Sequence, residues 1–386
     1  MNKIRAGVIG AGFVGPLHIE NLRRIGIAEV VAVAEQTQEK ADEVANKLGI
    51  PRAYCHWEDL VESPDIDVVH ITAPNKLHFP IAKAGIEAGK HVICEKPLTM
   101  DTKEAKLLVE MAKEKKVVNA TTFNMAFYPL VRQAKEMVQR GEIGKVFLAH
   151  GRYLQDWLSR DSDYSWRVEA EFSGRSRVIG DICSHWMHMV QMILGKQITS
   201  VFADSTIFFP VRKKPLFDIS TASERELKPG EYKEIKVDTE DHVTIMFKFE
   251  DNIKGVLIAA QVCPGRKQFI EWEINGSEKS LNWNGEEPNS LWVGHRSASN
   301  EVLLKDPNVL YDNVRQYAHY SVGLAEGYPD SWKNLLMSVY KYIQDYNPDN
   351  PEVPVFPTFE EGYRIQVLID SILESIDKNK WVDVRY

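Results

Sequence analysis

The chain has 386 residues, 44% of them apolar and 26% charged, with a formal net charge of −8 at pH 7. That length exceeds one ordinary hydrophobic core and suits two domains, and the composition is that of a globular protein rather than a disordered or fibrous one. The acidic balance argues against nucleic acid or an anionic membrane surface as a main partner.

Four cysteines, at 55, 94, 183 and 263, form no Cys-x-x-Cys pair, so a disulfide framework or zinc knuckle is disfavoured and a reducing, cytoplasmic setting is expected. The opening run Met1-Asn2-Lys3-Ile4-Arg5-Ala6-Gly7-Val8-Ile9 imitates a signal peptide but is short and broken by glycine. No stretch approaches the roughly 18–20 apolar residues that span a bilayer.

From Ile4 an apolar strand runs into Gly10-Ala11-Gly12-Phe13-Val14-Gly15 and then a helical stretch, Pro16 to Ile25. In that setting Gly10 allows the tight turn, Gly12 lets the backbone approach a pyrophosphate, and Gly15 lets helix and strand pack closely. The anion is then held at the helix N-terminus. A second strand, Val30 to Ala34, ends in Glu35, 20 residues beyond Gly15. An acid there accepts from the two adenosine ribose hydroxyls and repels a 2′-phosphate, which favours NAD over NADP. The plainer reading of Glu35 is an acid opening the next helix, Glu39 to Leu48.

The alternation continues with a helix near Glu58 to Val61, a strand Val68 to Ile71, the loop Thr72-Ala73-Pro74-Asn75-Lys76-Leu77-His78, and a helix Phe79 to Ala88. Regular βα units of this size imply a doubly wound parallel sheet. The strand Gly89 to Cys94 ends in Glu95-Lys96-Pro97, which aims functional groups at the carboxyl edge of the sheet, where such folds bind ligands. A helix, Lys103 to Lys115, and a strand, Val117 to Phe123, complete the pattern, so a domain boundary is expected near residue 124.

Beyond it come a helix Pro129 to Arg140, a strand Val146 to His150, and a polar, aromatic loop that includes Tyr153, Gln155, Asp156, Trp157 and Trp166. Arg160, Arg167, Arg175 and Arg177 in the same region are compatible with an acidic or phosphorylated substrate, or with a solvated surface. Asp181, His185 and His188 are separated by four and three residues, which on one helix puts all three on one face. His188 either borders a pocket or packs; the metal reading of His188, His185, Asp181 and Cys183 is disfavoured. Strands follow at Val243 to Phe249, Lys254 to Val262 and Phe269 to Asn275, with turns at Gly276-Ser277 and Asn284-Gly285. An amphipathic helix, Ser331 to Tyr346, precedes a proline-rich linker and a capping box, Thr358-Phe359-Glu360-Glu361, that opens the last helix.

Four motifs in order, Gly10-x-Gly12-x-x-Gly15, Thr72-x-Pro74-Asn75-x-x-His78, Gly89-Lys90-His91-Val92-x-x-Glu95-Lys96-Pro97 and Gly180-Asp181-x-x-x-His185, resemble the glucose-fructose oxidoreductase / inositol dehydrogenase / rhizopine catabolism (Gfo/Idh/MocA) family over essentially the whole chain. The resemblance implies an α/β protein: a Rossmann domain at 1–124, then an α/β domain at 125–386 with a large, open, mostly antiparallel sheet that makes subunit contacts. A homo-oligomer, dimer or tetramer, follows from that likeness, as does a cis bond at Lys96-Pro97.

The activity so implied is reversible oxidation of a sugar or polyol hydroxyl with NAD and without a metal. The implied cofactor contacts are Gly10, Gly12, Phe13, Val14, Gly15, Glu35, Thr72, Pro74, Asn75, His78, Glu95 and Lys96. Lys96, Asp181 and His185 are the implied catalytic residues, and they join Tyr153, Gln155 and Trp157 at the substrate. His185, with a reference pKa near 6.5, serves as general base on the reacting hydroxyl, Lys96 stabilises the developing negative charge on its oxygen, and Asp181 orients His185 or binds a neighbouring hydroxyl.

Two departures bear on substrate. Related proteins often have an aromatic-Arg-aromatic run where this chain has Met125-Ala126-Phe127, and sugar-oxidising relatives often carry histidine where it has Leu324. The Gln155-Asp156-Trp157 loop is similar to that of relatives oxidising anhydrosugars or glucosides, so a neutral ring (an inositol, hexose, glucoside or 1,6-anhydrosugar) is expected. An NADP-linked reductase and a catalytically silent, nucleotide-sensing regulator on the same fold are the alternatives.

Overall fold

A computed structural model of the protein describes residues 3–217 and 227–386; Met1 and Asn2, the first residues of the signal-like run, lie outside them. The chain forms two compact units, one of Met1–Asn124 with Trp332–Gln366, the other of Met125–Ser331 with Val367–Tyr386.

In the first unit six strands and their crossover helices alternate: β1 (Ile4–Ile9), α1 (Gly15–Ile25), β2 (Ala28–Ala34), α2 (Gln38–Leu48), β3 (Arg52–Tyr54), α3 (Trp57–Glu62), β4 (Val68–Ile71), α4 (His78–Glu87), β5 (His91–Cys94), α5 (Thr102–Glu114) and β6 (Asn119–Thr121). Among the described residues they make a parallel sheet ordered β3-β2-β1-β4-β5-β6. This is the doubly wound order, whose direction reverses between β1 and β4 and leaves the glycine turn at that switch point.

The central strands β4 and β5 are buried nearly throughout, as a sheet covered on both faces requires. Polar groups mark the helix starts: Thr37 accepts from Lys40 N–H before α2, and Asp101 accepts from Lys103 and Glu104 N–H before α5. The sequence reading overlooks β3, because three residues, Arg-Ala-Tyr, carry no periodicity.

The expected division at 124 cuts the chain once, whereas the structure returns Trp332–Gln366 to the first unit. The reason lies in what β4, β6 and the turn after β5 leave unpaired. The Tyr340 hydroxyl meets His70, Pro357 O and Thr358 O accept from Thr121, and Asn119 Oδ1 accepts from Phe359 N–H. At Gly362 an added Cβ would stand 2.5 Å from Thr121 Oγ1 and 2.9 Å from Leu98, so only glycine lets this segment lie so close.

The second unit contains α6 (Pro129–Gln139), β7 (Val146–Leu154), a short α7 (Ala170–Ser173), α8 (Ser184–Leu194), β8 (Ile198–Thr206), β9 (Val211–Pro215), β10 (Tyr232–Lys236), β11 (His242–Phe249), β12 (Lys254–Ala260), β13 (Phe269–Gly276), β14 (Lys279–Asn284), β15 (Ser290–His295), β16 (Glu301–Leu304) and α9 (Asp312–Arg315). Two long helices, α10 (Tyr328–Asp345) and α11 (Phe359–Lys378), and a final strand, β17 (Val382–Asp383), end the chain.

Among the described residues the large sheet is ordered β16-β15-β14-β13-β7-β12-β11-β8-β17, and every pairing is antiparallel except β7 with β12. Buried and accessible residues alternate along β11 and β12, so one face packs inward while the other stays open with Met246 and Ile258 on it. On the inner face Gly151 admits Trp186 of α8, whose indole N–H donates to Glu271 O at 3.0 Å. The capping box at the start of α11 is formed, with Thr358 N–H donating to Glu361 Oε2 at 2.8 Å. No helix among the described residues is long and apolar enough to cross a membrane.

Candidate functional site

In the first unit the glycine turn follows β1. Gly10 has φ +89° and its N–H donates to Ala34 O, while a Cβ there would lie 2.9 Å from Ala73 N. A Cβ on Gly15 would collide with Gly10 O, so both glycines are needed by the fold itself. Gly12 differs: a Cβ there meets nothing within 4 Å, and its φ is not left-handed. The chain does not require glycine at position 12, but a pyrophosphate approaching the backbone does. The turn, with the N-terminus of α1 beside it, therefore fits a dinucleotide.

Val14 precedes α1 without a side-chain cap, and Phe13 is exposed. The Glu35 carboxylate, at the end of β2, accepts from Ala11 N–H in that turn and lies 3.8 Å from Lys40 Nζ. Its place over the glycine turn is the one a ribose-binding acid needs.

The loop after β4 braces the same turn. Thr72 donates its hydroxyl to Ile9 O (3.1 Å) and to Gly10 O. Pro74 and Asn75 begin a 3₁₀ turn, and His78 opens α4. The His78 ring is buried, with Nδ1 2.8 Å from Pro97 O and Nε2 2.9 Å from Ala73 O. Burial keeps its proton affinity below that of a free histidine although both backbone contacts favour the charged form. His78 thus ties the Thr72 loop to the turn after β5. There Glu95 is buried, Lys96 is partly buried, and the Lys96-Pro97 bond is cis.

In the second unit, β7 runs on to Leu154, four residues beyond the expected end at His150, and delivers Gln155 and Trp157 directly from its tip. A hydrogen-bonded network joins the expected substrate residues. Gln268 Nε2 donates to the buried Tyr153 hydroxyl (2.5 Å), Gln155 Nε2 to Gln268 Oε1 (2.6 Å), and Trp157 Nε1 to Gln155 Oε1 (2.7 Å). Gln261 Nε2 donates to Gln155 Oε1 at 3.3 Å and to Asp181 Oδ2 at 2.8 Å. Arg167 Nε lies 3.3 Å from Asp181 Oδ1, and its guanidinium is centred 4.6 Å from the Trp166 ring and 6.0 Å from that of Trp157.

Gln261 and Gln268 were not singled out from the sequence. A glutamine has no motif of its own, and both come from strand ends distant along the chain that only the sheet brings to Gln155.

Asp181 and His185 do not share one regular helix. Ile179–Cys183 form a π turn and α8 begins at Ser184, so the face expected from spacings of four and three is broken by a wider turn. Such turns are frequent at functional sites. The turn is anchored from the chain just before β11, where the Glu240 carboxylate accepts from Arg177 N–H (3.0 Å) and Ile179 N–H (2.9 Å).

His185 is buried on the first turn of α8, and His188 one turn further is held neutral, its pKa pushed down to about 3 by burial and then by Arg132. Arg132 itself lies 3.9 Å from the centre of the Phe127 ring and 5.1 Å from that of Tyr317. No group of three or more His, Cys, Asp or Glu among the described residues is placed to hold a metal ion.

The remaining arginines sort by partner. Arg177 is fully buried against Asp241 and so neither solvated nor open to a ligand, while Arg175 is exposed and pairs with Asp377 at 2.9 Å. Leu324 is exposed on a loop that Lys305 holds through Tyr320 O and Leu324 O.

Residues 4–123 match the model of an oxidoreductase family with an NAD-binding Rossmann fold, and residues 131–282 match the GFO/IDH/MocA C-terminal domain. A levoglucosan dehydrogenase of Pseudarthrobacter phenanthrenivorans is 32% identical over 402 residues, spanning 100% of this chain and 99% of that protein. A myo-inositol 2-dehydrogenase of Thermotoga maritima is 31% identical over 57% of this chain and 63% of its own length. The structure of a levoglucosan dehydrogenase in complex with NADH and levoglucosan superposes with a TM-score of 0.87 at 29% identity, covering 100% of both chains. The chain belongs to the GFO/IDH/MocA family of oxidoreductases, with the NAD-binding Rossmann fold in its N-terminal part.

Proposed function

We propose that the protein is an NAD-dependent dehydrogenase acting on a CH–OH group of a neutral sugar or polyol ring. The observation that carries this reading is the network of Tyr153, Gln268, Gln155, Gln261 and Asp181 beside Trp157. Amides and a carboxylate suit hydroxyls, indole faces suit C–H faces, and the guanidinium present, Arg167, is already engaged by Asp181. A phosphorylated sugar finds less here than a neutral one.

In this reading the first unit, residues 1–124 with 332–366, binds NAD, and the second unit supplies substrate and subunit contacts. The contacts to NAD come from Gly10, Gly12, Phe13, Val14, Gly15, Glu35, Thr72, Pro74, Asn75, His78, Glu95 and Lys96. NAD, when bound, would supply the hydride acceptor for the carbon being oxidised. Lys96 donates a hydrogen bond to the reacting oxygen and His185 removes its proton, while Asp181, fixed by Arg167 and Gln261, holds a neighbouring hydroxyl. Met246 and Ile258 on the open face of the sheet suit burial in a dimer or tetramer. Four unbridged cysteines suit the cytoplasm.

The relatives make levoglucosan the first compound of a substrate panel, followed by inositols, hexoses and glucosides. NAD reduction with one of these neutral rings, and little with amino acids, is the expected result. A preference for a sugar phosphate or a simple hydroxy acid over every neutral ring overturns the proposal.

NAD gives a higher kcat/KM than NADP, and Glu35→Ser erodes that preference by about tenfold or more, the value of a hydrogen bond to a charged group. Better use of NADP by the wild type would favour the reductase alternative. The glycines separate cofactor from fold. Gly12→Ala keeps the melting temperature and weakens NADH binding in a fluorescence titration, whereas Gly15→Ala lowers the melting temperature because its Cβ has no space.

A further inference from the structure

Behind the Lys96 turn the first unit holds a line of buried polar side chains of which the proposed chemistry uses only Glu95. The Tyr340 hydroxyl of α10 lies 2.8 Å from His70 Nε2 of β4, and His70 Nδ1 lies 2.8 Å from His18 Nδ1 of α1. His18 Nε2 lies 3.1 Å from Glu95 Oε1, which also accepts from the Thr122 hydroxyl at 2.5 Å. All of these groups are buried, and Trp332 covers the His18 ring with centroids 4.6 Å apart. Charged and titratable neighbours of Glu95 are Lys96, His18, His78 and Cys94.

The direction of this line follows from hydrogen-bond logic. Burial works against the Glu95 charge, but the His18 hydrogen bond, Lys96 and Thr122 more than offset it, so Glu95 is a carboxylate and only accepts. His18 Nε2 therefore donates. Tyr340 stays protonated because burial raises its phenol far above the usual range, and its hydrogen-bond partner among the described residues is His70 Nε2. Burial also keeps His70 neutral, with one ring N–H. If Nε2 accepts from Tyr340, Nδ1 must carry that hydrogen and give it to His18 Nδ1. Every donor in the line then points toward Glu95.

We propose that Tyr340, His70 and His18 are positioning residues that fix the Glu95 carboxylate behind Lys96, so that the lysine side chain is aimed by its immediate neighbour. The kinetic part of this inference rests on the dehydrogenase reading; the part concerning Lys96 itself does not. The line ends at a buried phenol, so it orients charge and is not a path for protons to solvent.

The test uses the full-length protein without cofactor or substrate. Trace acetic anhydride at pH 8 acetylates free amines, and mass spectrometry gives the Lys96 rate relative to surface lysines. His18→Leu removes the donor to Glu95 and is expected to raise relative Lys96 labelling at least threefold, while His18→Gln, which replaces the Nε2–H with an amide N–H, restores the wild-type rate. Tyr340→Phe frees His70 to turn its tautomer and raises labelling by a smaller factor.

With sugar and NAD, His18→Leu lowers kcat with little change in KM for NAD, and His18→Gln recovers it. A melting curve for each variant establishes folding. Wild-type labelling in a folded His18→Leu protein, or equal disturbance by Leu and Gln, overturns the inference, and wild-type labelling in Tyr340→Phe overturns the part played by His70 and Tyr340. If labelling responds as expected but no sugar is oxidised, the dehydrogenase reading fails and the positioning line stands.

Discussion

Lys96→Ala lowers kcat by about 10²–10³-fold, and His185→Ala by about 10²–10⁴-fold, with NADH still bound by both variants. The two losses have different origins. Lys96 lies two residues beyond β5, and in the proposed mechanism it stabilises negative charge that grows on the substrate oxygen only as the reaction proceeds, which places its effect in kcat rather than in substrate affinity. In the same proposed mechanism His185 is the proton acceptor, so its removal leaves the hydroxyl to lose its proton to water. Both variants should fold, because Lys96 is only partly buried and His185→Ala deletes a ring without leaving a buried charge. The check is steady-state kinetics on the best neutral ring, with NADH affinity by fluorescence. Near-normal turnover in either variant sinks the proposed mechanism, and loss of NADH binding would point to a fold defect instead.

Asp241→Ala destabilises the protein by about 3–5 kcal/mol, the cost of removing one partner from a buried ionic cluster. Asp241 Oδ1 is shared by Arg177 and by Arg212 Nη2 (2.7 Å), and Oδ2 accepts from Phe208 N–H (2.8 Å) and Phe209 N–H (3.0 Å). Without the carboxylate two guanidinium groups stay buried without the counter-charge they share. Burial alone would raise the Asp241 pKa, but the two arginines and the backbone donors hold it below the ordinary carboxylate range.

The sign is that of a depressed carboxylate. Its stabilisation is complete above the unfolded value near 4 and is lost only as pH falls through the lower folded value. Urea titrations at pH 7 and pH 3 measure this: the gap between wild type and Asp241→Ala should be wide at pH 7 and narrower in acid. A gap below about 1 kcal/mol at pH 7 would show that the cluster does not hold the second unit together.

Much of the first unit is legible in the sequence because its signals are local. A strand, three spaced glycines and a helix follow each other without interruption, and Glu35 falls where the second strand must end. The Glu95-Lys96-Pro97 tripeptide is equally local, so its place at the carboxyl edge of the sheet could be read from the strand before it. The parts that escaped are those in which distant residues share one job.

Nothing around Tyr340 marks it as a partner of His70, since a tyrosine in an amphipathic helix has the same pattern whether it packs or bonds. Gln261 and Gln268 reach Gln155 only through the pairing of β7 with β12 and β13. Arg177 reads as one more surface arginine until Glu240 and Asp241 are seen to enclose it. The π turn at Ile179–Cys183 was invisible for another reason: nothing in its sequence marks a wider turn, and Glu240 holds its first residue from outside.

The return of Trp332–Gln366 to the first unit bears on the order in which the polypeptide can mature during synthesis. When residue 124 has left the ribosome, the six strands are present, yet His70 lacks Tyr340, Thr121 lacks the carbonyls of Pro357 and Thr358, and His18 lacks the cover of Trp332. At about 5–20 residues per second the missing segment arrives about 10–50 s later, after all of the large sheet but β17 has been made. The nascent first unit must wait unfinished, while Met125–Ser331 already has every described strand of the second unit but β17. Docking of α10 and the start of α11 then completes the first unit, and the same step supplies the Tyr340 hydroxyl and the Trp332 cover of the line that ends at Glu95.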